Sequence, residues 1–225
     1  MSMIAGFFSS QPGLEFSELR TTLMRIPQVS SRVRQAQEHL DRSELVHTDL
    51  YSLLLADDLE FARSSPTDRL LLSTLVQVGL FDRFSRKQGL PDFLVARHDQ
   101  LAMHFSAGHL AYPDLIKRAV TLDNSDLLSS YVAYQKVTLR ENDWEYKILP
   151  LAEDAVYDIL KTLRDQYQAG LVVGFGPGFE MAFDIKSFRA KEEIEFLDVI
   201  ADDEKLTWFW PEIRALTDTA PLYMQ

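Results

Sequence analysis

The segment Pro91-Asp92-Phe93-Leu94-Val95-Ala96-Arg97-His98-Asp99-Gln100, running on to Ala107-Gly108, constrains the fold more than any other stretch. Phe93 to Ala96 is a short unbroken apolar run, the pattern of a strand covered on both faces. Arg97-His98-Asp99 then makes a sharp polar turn, and Leu101 and Phe105 resume at helical spacing. The segment reads as strand, turn, helix. Met3 to Phe8 and Leu171 to Phe175 are two more apolar runs of strand length. Strands of this kind lie in sheets flanked by helices.

Helical stripes fill the intervals. Phe16, Leu19, Leu23 and Ile26 keep the period of one helix, with Pro27 as its stop, and Val29, Val33, Ala36 and Leu40 keep that of a second. A long helix, with Thr67 as candidate cap and Lys87-Gln88-Gly89 as its end, spreads apolar residues around most of its circumference. Pro113 opens another helix, and Glu153 to Tyr167 carries a further stripe. Residues 123–150 are the least regular, with Tyr131 to Leu139 alternating loosely like a strand. A helix over Met181 to Phe188, a last strand over Ile194 to Ile200 and the aromatic cluster Trp208-Phe209-Trp210 complete the reading. Strands alternating with helices predict an α/β fold, a three-layer sandwich with a mostly parallel sheet. The 225 residues fit a single domain.

Composition narrows the partners. The formal net charge of −11 disfavours nucleic acid, where affinity rests on cationic contacts to phosphate. No apolar run is long enough to span a bilayer, and the N-terminus lacks the basic flank of a signal peptide. The expectation is a protein without membrane contact, in the cytoplasm by default. The absence of Cys excludes disulfides and thiolate metal sites. His104 and His109 lie five apart, not at the i, i+4 spacing that brings two ligands to one helix face, so no metal and no cofactor is expected.

Three blocks resemble the malonyl-CoA:acyl carrier protein transacylase family, which includes the acyltransferase domains of polyketide synthases. Ile4 to Gly13 looks like the family's opening F-P-G-Q-G-S-Q. Pro91 to Asp114 looks like P-D-x-x-x-G-H-S-x-G-E followed by A-G-x-x-x-x-x-D. Gly170 to Gly178, with Met181 and Lys186 after it, looks like G-x-x-x-x-x-E-V-G-P-G-x-x-L-x-x-x-x-K. The resemblance implies the large, hydrolase-like subdomain of these enzymes. Residues 123–150 then stand as a reduced remnant or replacement of the ferredoxin-like small subdomain.

The departures are chemical. Covalent acyl transfer needs a nucleophile, a base and an oxyanion hole. In a G-x-S-x-G elbow the nucleophile sits on a strained strand-to-helix turn. Here its position falls on Arg97 or His98, beside Asp99, with no Ser, Cys or Gly in the turn. The family's base lies well after the elbow helix, whereas the histidines here are His39, His47, His98, His104 and His109, with none later in the chain. The carboxylate-binding Arg of the family would fall near Leu122, which has no Arg beside it. Gln11 matches the glutamine that helps form the family's oxyanion hole, and stands either as that remnant or as a loop hydrogen-bonder. Asp99 also suits a helix N-cap. The resemblance implies a transacylase homologue without catalysis, a partner or scaffold for an acyl carrier protein or another subunit of a fatty-acid or polyketide-type complex. A homo-oligomer is a further expectation, since loss of the small subdomain would bare apolar surface. Two alternatives stand beside this: an active acyltransferase or hydrolase using His98 or Asp99, and a module that holds an acyl chain or thioester without reacting.

Overall fold

A computed structural model describes residues 3–7, 17–43, 49–98, 100–121, 130–151, 156–169, 171–175 and 195–196. In chain order the elements are β1 (Met3–Phe7), α1 (Ser17–Met24), α2 (Pro27–Asp41), α3 (Leu50–Leu55), α4 (Asp58–Arg63), α5 (Pro66–Gln88), β2 (Phe93–Arg97), α6 (Leu101–Ser106), α7 (Tyr112–Thr121), β3 (Tyr131–Arg140), β4 (Asp143–Leu149), α8 (Val156–Tyr167), β5 (Leu171–Phe175) and β6 (Glu195–Phe196).

The fold is mixed α/β around one open sheet in the order β4-β3-β2-β5-β1-β6. Its character is mixed where a mostly parallel sheet was expected. β2, β5, β1 and β6 run parallel, whereas β3 and β4 join antiparallel. The reason is local. Glu141-Asn142 is a two-residue connection with Asn142 at φ 65°, the left-handed conformation that tight hairpins require. The irregular stretch thus holds a hairpin that extends the main sheet through β3 against β2.

Apolar clusters lie on both faces. Along β2, Leu94 and Ala96 enter one cluster and Phe93 and Val95 the other, as strand alternation dictates. The larger cluster takes Val29, Val33, Ala36 and Leu40 of α2, all fully buried. Burying each of the Val and Leu side chains contributes about 1.5–3 kcal/mol. The smaller cluster takes Ile159 and Leu163 of α8. On α5 every residue from Leu71 to Phe81 is buried, so this helix is the hydrophobic axis of the larger cluster.

Two helix boundaries differ from the sequence reading. Pro27 does not end a helix; it opens α2 at the first helical position, where a missing N–H costs nothing. The cap of α5 is Ser65, whose hydroxyl accepts from the Asp68 N–H at 3.0 Å, and Thr67 instead hydrogen-bonds the Ser65 hydroxyl at 2.8 Å. Pro66 starts that helix one residue after Ser65, which leaves Thr67 already inside it.

Candidate functional site

The carboxyl ends of three parallel strands meet at one end of the sheet. Phe7 of β1 pairs with Phe175 of β5, and Phe175 with Ala96 of β2. In open α/β sheets ligands bind beyond such ends. Of the residues singled out there, Arg97 is the last residue of β2 and is half-buried. His98 is exposed, and its N–H donates to the Ser130 carbonyl at 2.9 Å, which extends the ladder by one residue. The Gln100 N–H returns to the Arg97 carbonyl at 3.0 Å and closes the turn into α6. Gln11 and Asp99 lie outside the described residues.

Arg97 and His98 do not hold the left-handed backbone of a nucleophile elbow. Among the described residues other than glycine, only Asn142 and Gln168 have positive φ.

Next to this turn the structure assembles a histidine–tyrosine cluster that spacing alone did not reveal. The ring of His104 stands edge-on to His98 at 5.4 Å and to Tyr134 at 5.7 Å. His109 lies tilted against the Tyr134 ring at 4.6 Å. The agent is Gly108, at φ 78°. The Gly108 N–H bonds the Phe105 carbonyl at 2.9 Å and the His109 N–H bonds the His104 carbonyl at 2.9 Å. This is a Schellman closure, in which the residues flanking the reversal, five apart, come to the same side. The spacing that excluded a helix-face metal pair is the one that brings His104 and His109 onto a common tyrosine. Ala107-Gly108 was the readable signal.

The hydrogen bonds fix what these rings can do. His104 Nε2 meets the His98 carbonyl at 2.7 Å, and a carbonyl only accepts, so Nε2 carries the proton. In the neutral ring Nδ1 is then an acceptor, and the Tyr134 hydroxyl donates to it at 2.7 Å. His109 Nε2 likewise donates to the Tyr146 carbonyl at 2.6 Å, and the Tyr146 hydroxyl donates to the Pro91 carbonyl at 2.8 Å. Both nitrogens of His104 are committed within the protein, so it has no lone pair for a substrate proton. Among the described residues no group of three or more His, Cys, Asp or Glu is placed to hold a metal ion. The network fastens the α6–α7 turn to the β3–β4 hairpin.

Burial lowers the pKa of His104, and the positive sides of His98, Arg118 and His109 lower it further, while the His98 carbonyl opposes them. A histidine with a depressed folded-state pKa holds fewer protons folded than unfolded. Its stabilisation is complete above the unfolded value of about 6.5 and is lost as pH falls below it toward the folded pKa. Thermal unfolding from pH 8 to 5 should therefore show a fall in Tm beginning near 6.5, and His104→Gln, which hydrogen-bonds without titrating, should flatten it. Parallel profiles for the two proteins would remove His104 from this role.

No family model matches the chain, and neither does any curated protein or solved structure.

Proposed function

We propose that this chain is an acyltransferase-like protein, of the malonyl-CoA:acyl carrier protein transacylase type, that has lost its nucleophile and base and serves as a non-catalytic partner or scaffold in a fatty-acid or polyketide-type system. One observation carries the reading. The three stretches that resemble the family fall on β1, β2 and β5, three neighbouring parallel strands whose carboxyl ends lie in register. Sequence likeness scattered by chance has no reason to converge on one end of a sheet.

The side chains at that end support the absence of chemistry. Neither Arg97 nor His98 has a positive φ, and the neighbouring half-buried imidazole, His104, spends both nitrogens on the protein. In its finer form the reading is a three-layer α/β sandwich like the large transacylase subdomain, with the hairpin over residues 131–149 in place of the small one, in a cytoplasmic setting. Exposed Trp144 and Ile148 on β4 and Leu55 and Leu59 near the α3–α4 junction support a protein that works against a partner.

The test is titration with a purified acyl carrier protein from the same organism, followed by calorimetry. The expected result is a saturable complex whose affinity is unchanged by His98→Ala, because no residue of the turn takes part in transfer. Absence of heat at carrier-protein concentrations that saturate weak transient pairs would count against a carrier-protein partner.

A further inference from the structure

A hollow of about 280 Å³ lies between α2 and α5, away from the strand ends, lined by Gln28, Ser31, Arg32 and Gln35 of the first helix and Asp82 and Arg86 of the second, with Pro27 at its rim. Among its lining groups the Arg32 guanidinium is held before any ligand arrives. Arg32 Nε donates to Asp82 Oδ2 at 2.7 Å and Nη1 to Gln35 Oε1 at 3.3 Å. Its face rests over the Phe105 ring at 5.2 Å and the Tyr112 ring at 5.9 Å, and the Tyr112 hydroxyl anchors the Arg32 backbone carbonyl at 2.7 Å. Among the described residues no acceptor engages Nη2, although the side chain is 24% exposed toward the hollow and solvent. Arg86, one turn beyond Asp82, is exposed and has no ion-pair partner among the described residues.

Two guanidinium groups against one carboxylate give this hollow a local positive charge on a chain whose net charge is −11. The remaining lining is Gln and Ser, neutral groups that can donate. A planar fork with unused N–H groups matches the paired oxygens of an oxyanion, and a fork already immobilised loses little entropy on binding one. We propose that this hollow binds the phosphate group of a small phosphomonoester, with Arg32 as the fixed anchor and Arg86 closing over it. Phosphate is favoured over carboxylate because its three terminal oxygens offer more acceptors, and its dianion more charge, to a lining with two arginines and a hydroxyl.

The site is independent of the acyltransferase reading, and so is its test. Phenyl phosphate, inorganic phosphate and acetate are titrated into the full chain at constant ionic strength, with binding read from the Arg Nε–H resonances and from the shift in Tm. The expected result is saturable binding of both phosphates, at least ten-fold tighter than acetate. Arg86→Gln should weaken it at least ten-fold without altering the circular dichroism spectrum, and Arg32→Lys should weaken it similarly by removing the fork. Equal affinity for acetate, or binding unchanged in Arg86→Gln, would overturn the proposal. So would a Tm shift no larger than that given by chloride.

Discussion

Gly79→Val is expected to leave the chain unfolded. A Cβ at Gly79 would lie 2.5 Å from the Cα of Val29 and 2.8 Å from its N and Cγ2. Two of these are backbone atoms, so no rotamer change relieves the clash. Here α5 crosses α2 with backbone almost against backbone. Helix propensity alone would make Gly79→Ala stabilising by about 1 kcal/mol. Overpacking of about 1–3 kcal/mol should reverse that sign. Valine adds two further methyl groups to the same contact, and the combined cost approaches the 5–15 kcal/mol that holds a typical domain together. Urea unfolding of Gly79→Ala gives the decisive sign: destabilised if the helices meet as described, stabilised if they do not. Val29→Ala should fail to rescue it, because it removes Cγ2 but leaves Cα and N in place.

Arg20→Ala is expected to cost about 3 kcal/mol, the range of a large buried side chain truncated with its hydrogen bonds. Arg20 is fully buried on α1, an uncommon place for a cation. Its Nη2 donates to the Ala56 carbonyl and pairs with Asp58 Oδ1 at 3.3 Å, while its Cζ sits 4.2 Å from the centre of the Phe61 ring. Asp58 also accepts from the Ser17 N–H at 2.6 Å, so one carboxylate joins the start of α1 to α4. Burial lowers the Arg20 pKa and Asp58 opposes that, but a guanidinium stays charged throughout. Asp58 itself is 53% exposed, so water screens the pair and the ionic part is small. The stem and the stacked plane should therefore contribute more than the charge. Arg20→Met, which fills the volume without charge, should recover about half of the loss in chemical denaturation. If methionine were as costly as alanine, the charge rather than the packing would be in control.

These two residues show where the sequence is readable and where it is not. The stripe Val29, Val33, Ala36 and Leu40 announced α2, because burial of one face leaves a 3.6-residue period. The runs that became β2 and β5 were equally plain, since both strands are covered on two faces. Arg20 interrupts an apolar stripe, and periodicity has no means of showing that a cation there turns inward onto Phe61. Gly79 sits in an apolar run where only the crossing of a second helix gives its missing side chain meaning. The six-residue helices α3 and α4 are too short to display a period; their signals are the caps Asp49 and Asp57, which accept from the Ser52 and Glu60 N–H groups at 2.8 and 2.7 Å. β4 escaped notice because only Tyr146 within it is buried, so its alternation does not divide apolar from polar.

The site divides in the same way. Arg97 and His98 were legible as the end of a strand, and the structure places them there. The role of His104 and His109 was not, because it depends on Gly108 reversing the chain and on Tyr134 arriving from β3, thirty residues from His104.

The measurement that bears most directly on the central claim is intact-protein mass spectrometry after incubation with malonyl-CoA, with and without an acyl carrier protein. The account predicts no mass gain on this chain and no malonyl group on the carrier protein above the level seen without it. A stable malonyl adduct on this chain, or carrier-protein malonylation that disappears in His98→Ala or Asp99→Ala, would contradict it.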